Sequence, residues 1–179
     1  MRELRNQLNK LKVLKGSVDS KTTYEFFTIL NEISNFTIVL NSTSGMFVLG
    51  ASFYTTEFLC MINKEFTDTT NFISNIPFDI IKTDITKNNL IFKEKIFDLG
   101  IIEPSLTRNI KITDFNYSIH LLKYCKSVVF LVKGTLKEYS SPHKTKYKFS
   151  VIGKIQIEKK SDKISKSKME SYEIVKVAE

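Results

Sequence analysis

Acid–base and nucleophilic chemistry in proteins usually depends on histidine, cysteine or paired carboxylates. The chain has two histidines, His120 and His143, and two cysteines, Cys60 and Cys125. Neither histidine shares a local motif with a cysteine or a carboxylate. Each cysteine lies in an apolar run, which is typical of a reduced core thiol. These four residues therefore predict no catalytic group.

Four acidic residues of the middle region, Asp79, Asp84, Asp98 and Glu103, are scattered and form no recognisable pair. The spaced ligands of a metal site, such as C-x-x-C or H-x-x-x-H, do not occur, and no G-x-S-x-G or phosphate-binding glycine loop is found among the six glycines. We therefore predict no catalytic residue, no metal, no cofactor and no enzymatic activity. An acidic pair that meets only in the folded chain stays open as an alternative.

Charge is the feature that indicates a ligand. The net charge is +8, and residues 1–110 contribute nothing to it because they hold 12 Lys/Arg and 12 Asp/Glu. Residues 111–179 hold 15 Lys and 7 Asp/Glu, so they carry the whole excess. A basic surface attracts polyanions, and a chain with a basic end and an acidic middle can also attract a copy of itself.

The region Lys144–Lys159 alternates with period two, which predicts a half-buried antiparallel strand. Its apolar face contains Tyr147, Phe149, Val151, Ile155 and Ile157. The other face, with the preceding strand, would present a group of lysines to solvent, and these are the predicted nucleic-acid-binding residues: Lys133, Lys137, Lys144, Lys146, Lys148 and Lys154. The alternative is a solvated sheet face, since lysine lacks the bidentate fork of arginine.

The elements that would position these lysines are predicted from periodicity. Leucines at helical spacing predict an amphipathic helix over residues 1–15, and a second helix fits 23–33. Strands are predicted at Phe36–Leu40, Met46–Phe53, Glu57–Ile62, Leu90–Leu99, Tyr117–Tyr124, Val128–Lys137, Lys144–Lys159 and Tyr172–Val177. The fold class is therefore α+β, with two N-terminal helices packed on a mainly antiparallel β-sheet or small β-sandwich. Residues 1–179 form a single domain, in which 161–168 is a basic polar linker or loop.

The order of helix 23–33, strand 36–40, a turn with Gly45, and strands 46–53 and 57–62 resembles the opening of a sliding-clamp domain. The resemblance covers about a quarter of the chain. It implies a DNA processivity module with a basic face, although in this chain the basic region lies in the last third.

The function predicted from the sequence is a non-enzymatic binding or assembly protein whose basic C-terminal sheet face contacts a polyanion, most naturally nucleic acid. The alternative is a structural subunit of a larger homo-oligomeric, phage or viral assembly, because Val129 and Leu131 make one strand apolar on both faces. Met1–Lys15 is not a signal peptide, and no apolar run could cross a membrane. We therefore expect a cytoplasmic or virion-associated protein with no membrane partner, and an Asn-, Ile- and Lys-rich composition indicates an AT-rich genome.

Overall fold

The computed structural model describes residues 1–14, 16–42, 44–63, 76–85, 92, 96–106, 113–138, 146–160 and 167–179. The helices within these ranges are α1 (Arg2–Leu8), α2 (Ser20–Leu30), α3 (Met46–Ser52) and α4 (Thr113–Leu121), with a short 3-10 turn at Leu136–Glu138. The strands are β1 (Ser34–Leu40), β2 (Thr55–Ile62), β3 (Phe78–Ile81), β4 (Phe97–Ile102), β5 (Cys125–Lys133), β6 (Lys148–Lys160) and β7 (Ser167–Ala178).

The seven strands form one sheet in the order β3-β2-β1-β4-β5-β7-β6. The first five strands run parallel, since β2 pairs with β3 and β1, β1 pairs with β4, and β4 pairs with β5 in the same direction. Only β7 runs the other way, between β5 and β6. The predicted mainly antiparallel sheet or sandwich is therefore wrong, and the fold is α/β.

Strands β1, β2, β4 and β5 are buried on both faces over most of their lengths, and this explains their composition. In β1, Ile38 and Leu40 pack into one apolar cluster, whereas Val39 packs into the other. Helices α1, α2 and α3 supply the cluster around Val39, and α4 supplies the cluster on the opposite face. Strands covered by helices on both sides are apolar almost throughout, as in doubly wound α/β proteins.

The predicted strand Met46–Phe53 is wrong, because these residues form helix α3. Six of the seven residues of α3 are buried, so the helix has no polar face that would show helical periodicity. At Gly50 an added Cβ would collide with the aromatic ring of Phe27. Glycine therefore allows α3 to approach α2 closely.

The predicted strand Tyr117–Tyr124 is also wrong, because helix α4 covers most of it. Phe115, Ser118, Leu121 and Leu122 are buried at helical spacing and pack α4 against the sheet. The predictions at Phe36–Leu40, Glu57–Ile62, Val128–Lys137, Lys144–Lys159 and Tyr172–Val177 are confirmed as strands, with shifted ends. The predicted strand Leu90–Leu99 overlaps β4, although most of its first half lies outside the described residues.

The N-terminal helices are confirmed, and both differ from their predicted bounds. Helix α1 ends at Leu8, and Leu4 and Leu8 are its buried residues. Helix α2 begins at Ser20 because the Asp19 side chain accepts a hydrogen bond from the Thr22 backbone N–H (2.7 Å), which makes Asp19 the N-cap. The longest helix within the described ranges has 11 residues and is too short to cross a bilayer.

A β-bulge between Val151 and Gly153 interrupts the alternation of β6. Before the bulge, Phe149 packs on the α4 side, and after it Ile155 and Ile157 pack on the side of α1 and α2. The prediction that these three residues share one face is therefore wrong, because a bulge moves the following side chains to the other face.

Candidate functional site

The strand order reverses between β1 and β4, because the chain continues to β2 and β3 on one side and to β5 on the other. Ligands of open α/β sheets bind outside the carboxyl ends of the strands at such a switch point. Polar residues follow four of the five parallel strands whose carboxyl ends lie at this edge: Asn41, Ser42 and Ser44 after β1, Asn63 after β2, Asp84 after β3 and Glu103 after β4. We call this set the carboxyl-edge site.

The segment that connects β1 to α3 makes a sharp turn at the site. Asn41 and Gly45 have φ values of 63° and 75°, in the left-handed region that asparagine and glycine adopt most readily. The residue after the neighbouring strand β2 stabilises this turn, since the Asn63 side-chain amide donates a hydrogen bond to the Ser42 carbonyl (3.2 Å). Ser42 is fully buried as a result.

Glu103, the residue after β4, is the acidic group next to this turn. Its backbone N–H donates to the carbonyl of Leu40, which joins the ends of β4 and β1 (3.0 Å). Its side chain is buried, with 2% of its surface exposed, and Oε1 accepts a hydrogen bond from the Ser44 hydroxyl (3.2 Å). Glu103 Oε2 and Ser42 Oγ are both buried, and neither makes a hydrogen bond of ordinary geometry in the described part of the chain. The Ser42 hydroxyl nevertheless lies close enough to the Glu103 carboxyl group to lower its pKa.

Burial raises the pKa of Glu103 to about 7, because a low-dielectric environment disfavours the carboxylate. The hydroxyls of Ser42 and Ser44 and the backbone of Phe47 act in the opposite direction and lower this pKa. A carboxyl group with this pKa exchanges its proton near neutral pH. An unpaired buried polar atom costs free energy, so two at one place indicate that a ligand completes the site.

The N-terminal region contacts the same edge. The backbone N–H of Leu106, three residues after Glu103, donates to the carbonyl of Gly16 in the connection between α1 and α2 (2.8 Å). Leu106 also packs against the apolar cluster that contains α1 and α2. The segment after β4 is therefore fixed between the sheet and the N-terminal helices.

The six predicted lysines do not form one surface. Lys133 pairs with Glu170 (2.6 Å) and Lys154 pairs with Glu173 (3.1 Å). Lys137 lies close enough to Glu173 to lower the pKa of that carboxyl, whose main cause of lowering is the hydrogen bond from the Leu136 backbone. Lys144 lies outside the described residues.

Lys146 and Lys148 are exposed, and the Lys146 ammonium group lies 5.2 Å from the centre of the Tyr147 ring. The bulge separates Lys148 from Lys154, which therefore project from opposite faces of the sheet. The assumed common face is wrong. Whether these lysines bind nucleic acid is a separate question, and that role stays a prediction.

A groove of about 520 Å³ opens between α1, α2 and the β6–β7 hairpin. Arg5 and Lys21 line it together with Asp19, Glu25 and Glu158, so its charges nearly balance. It shares no lining residue with the carboxyl-edge site. The two predicted histidines do not join that site either, since His120 lies in α4 and His143 is outside the described residues.

Sequence reasoning did not find the carboxyl-edge site. Asn41–Gly45 reads as a hairpin turn if the next element is a strand, and Glu103 reads as an isolated acid. The signal that could have found it is a short polar turn between a wholly apolar strand segment, Ile38–Leu40, and a second wholly apolar segment, Met46–Leu49. That pattern is typical of the strand-to-helix turn of a parallel sheet.

Solved structures of methyltransferases have this architecture. A candidate RNA methyltransferase from Pyrococcus horikoshii has a TM-score of 0.67 with 14% identity, covering 99% of this chain and 96% of that chain. The tRNA (m1A58) methyltransferase of Aquifex aeolicus has a TM-score of 0.59 with 14% identity, covering 98% and 75%. A SAM-dependent O-methyltransferase from Thermotoga maritima has a TM-score of 0.56 with 14% identity, covering 98% and 71%.

The chain has the Rossmann-like fold of these methyltransferases. No family model and no curated protein matches its sequence. The likeness overturns the expected non-enzymatic binding or assembly protein, and with it the phage or viral subunit, since the solved structures that share this fold are described as methyltransferases. The sliding-clamp resemblance is wrong because its second strand is α3 and its remaining strands are parallel.

Proposed function

We propose that this chain is an S-adenosylmethionine-dependent methyltransferase that acts on RNA. The observation that carries the proposal is the pair of unpaired buried atoms, Ser42 Oγ and Glu103 Oε2, at the switch point of a fold shared with such enzymes. A function in RNA modification also agrees with the net charge of +8.

The polar groups of the carboxyl-edge site fit the chemistry of this methyl donor. The donor has a sulfonium cation, an amino-acid end, a ribose and an adenine. Ser42 and Glu103 offer an unused hydroxyl and an unused carboxylate oxygen to the cationic end. Asp84, half-buried one strand beyond Asn63, offers an acceptor for the nucleoside.

The site departs in two respects from the usual nucleotide turn of such sheets. Residues 41–45 contain one glycine, Gly45, where dinucleotide-binding turns have several. The position directly after β2 is Asn63, whose amide already donates to Ser42, whereas an acid at this end of the sheet usually binds the ribose. In this chain the nucleoside acceptor is therefore Asp84 rather than the residue after β2.

The bound donor would supply an electrophilic methyl group to a nucleophilic atom of the RNA. The chain's own residues bind and orient the reactants. Ser44 and the Phe47 backbone hold the Glu103 carboxyl group at the turn, and the Gly16–Leu106 hydrogen bond fixes the segment beside it. Positioning of this kind supplies a large part of enzymatic rate acceleration.

The decisive test is transfer of a labelled methyl group. We expect the full chain to transfer the labelled methyl group from tritiated S-adenosylmethionine to RNA prepared from an organism with an AT-rich genome. The transfer should require the protein. Ser42→Ala should reduce transfer by roughly 5- to 30-fold, because it removes a donor-binding hydroxyl and one hydrogen bond contributes about 1–2 kcal/mol. Ser118→Ala, a buried serine of α4 whose hydroxyl donates to the Phe115 carbonyl, is the matched control.

Absence of both donor binding and methyl transfer would overturn the proposal. Equal loss of activity in the Ser42 and Ser118 variants would show that the loss follows folding rather than the site. Cytoplasmic location and self-association remain parts of the proposal.

The lysines predicted from the sequence belong to this proposal as RNA contacts. Lys146 and Lys148 are exposed, whereas Lys133 and Lys154 are paired with acids. We expect Lys146→Glu with Lys148→Glu to weaken RNA binding and to reduce its salt dependence, while thermal stability changes little. Lys126→Glu, at a lysine paired with Asp98, tests whether any exposed lysine has the same effect. RNA affinity measured at two salt concentrations decides this, and an unchanged affinity would remove the lysines from the interface.

A further inference from the structure

We propose that Glu103 is the counter-charge for the cationic end of the methyl donor, and that it releases its proton to solvent when the donor binds. This inference rests on the proposed function, and it adds a proton-linked step at the same site. The balance is simple: the carboxyl O–H bond breaks, its electron pair stays on the carboxylate, the proton passes to buffer, and the carboxylate pairs with the cation.

The geometry leaves one oxygen of the carboxyl group without an ordinary hydrogen bond and with only the neutral Ser42 hydroxyl acting on it besides Ser44 and the Phe47 backbone. Oε1 accepts the hydrogen bond from Ser44, and Oε2 is buried without a partner in the described ranges. Ser42 Oγ, the other unpaired atom, belongs to the same turn. A buried carboxylate without a counter-charge is unfavourable, so the group keeps its proton until a cation arrives.

The surroundings of Glu103 supply no competing cation among the described residues. The groups that affect its pKa are the hydroxyls of Ser42 and Ser44 and the backbone of Phe47, and none of them is charged. Desolvation dominates and raises the pKa to about 7, so the group is near half-protonation at neutral pH. A cation at Oε2 would favour the carboxylate and lower this pKa.

The salt-linked acids elsewhere in the chain differ from Glu103. Asp98 has the Lys126 ammonium at 2.6 Å and two backbone N–H donors, and its pKa is lowered. Glu173 has a backbone donor and Lys154, and its pKa is also lowered. Glu103 is therefore the buried acid of the described residues whose pKa is raised and whose free oxygen lies at the switch point.

Calorimetry with the full chain tests the inference. Titration of S-adenosylmethionine at pH 7.0 in two buffers of different ionisation enthalpy gives the number of protons released. We expect roughly half a proton per donor bound, as linkage predicts for a group titrating near that pH. Affinity should rise from pH 6 to pH 8 in the wild-type chain, and Glu103→Gln should abolish both the release and the pH dependence.

Two other ligands show which cation is recognised. S-adenosylhomocysteine keeps the ammonium group but lacks the sulfonium charge, and 5′-methylthioadenosine lacks both. Release with S-adenosylhomocysteine identifies the ammonium group, and release with the sulfonium donor alone identifies the sulfur. Methylthioadenosine should bind without release.

Ser44→Ala provides a second variant that leaves the carboxyl group in place. It removes a hydrogen bond that lowers the pKa of Glu103, so the pH dependence of binding should shift to higher pH. Donor binding with the same proton release in Glu103→Gln, or binding without release in the wild type, would overturn the inference and leave the proposed function standing. No binding of the donor at any pH would overturn both.

Discussion

At the scale of single residues, the carboxyl-edge site is defined by what its polar atoms lack. Most buried polar atoms in folded proteins have hydrogen-bond partners. Glu173, which is buried, follows that rule because its carboxylate accepts a hydrogen bond from the Leu136 backbone N–H. Ser42 and Glu103 each have a buried atom without an ordinary hydrogen bond at the carboxyl-edge site, so we attribute these atoms to ligand binding.

The raised pKa of Glu103 makes a prediction about stability. Because the folded state holds this proton up to about pH 7 and the unfolded state only to about 4.5, the folded chain binds more protons between these values. The free energy of unfolding should therefore fall as pH rises through that window, by up to about 3 kcal/mol. Urea unfolding at pH 5 and pH 8 measures the fall.

Glu103→Gln should remove most of this fall, because glutamine does not ionise. Glu32→Gln is the control, since it makes the same substitution at a glutamate that pairs with Lys176 away from the carboxyl-edge site. A fall that disappears equally in both variants would not come from Glu103. A Glu103→Gln variant with an undiminished fall would show that another group carries it.

At the scale of elements, sequence patterns succeeded where one face is polar and failed where none is. Helix α2 and strands β6 and β7 alternate between apolar and polar residues, and they were predicted. Helix α3 is buried on all sides, so its residues show no helical period and their aromatic and β-branched types favour a strand. Gly153 is the one sequence feature that indicates the bulge in β6.

The contact between α3 and α2 predicts the effect of one substitution. Gly50→Ala should favour a helix by about 1 kcal/mol, but the added Cβ would meet the Phe27 ring. We expect the collision to dominate and to lower the free energy of unfolding by about 1–3 kcal/mol, measured by urea unfolding. Ser52→Ala, in the same helix, should change it by less.

A double substitution locates the cause of that loss. In a Phe27→Ala background the ring is absent, so Gly50→Ala should no longer destabilise the chain. If Gly50→Ala costs as much with the ring as without it, the close approach of the two helices is not the reason for the glycine.

At the scale of the whole molecule, the direction of the strands was the property that the sequence did not reveal. The apolar segments of β1, β2, β4 and β5 predict strands, and the fold class predicted from the sequence places them in a mainly antiparallel sheet, although these segments lack the apolar–polar alternation of a half-solvated sheet. Continuous burial on both faces is the mark of a parallel sheet covered by helices. Because helix α3 connects β1 to β2, these two neighbouring strands run parallel, and their carboxyl ends lie together at the carboxyl-edge site.

The topology also explains why the basic excess of the last third did not identify the site. Strands β6 and β7 lie at one edge of the sheet, beyond β5, whereas the switch point lies between β1 and β4. The lysines can therefore contribute to RNA binding without touching the donor. In the proposed function, the basic charge concerns the RNA and the switch point concerns the methyl donor.

Hydrogen–deuterium exchange with and without S-adenosylmethionine tests the central claim most directly, because it locates the donor on the chain. The account predicts that the donor slows exchange at residues 41–49 and 99–106, around the ends of β1 and β4. Slowed exchange confined to the groove between α1, α2 and the β6–β7 hairpin, or no change anywhere, would contradict it.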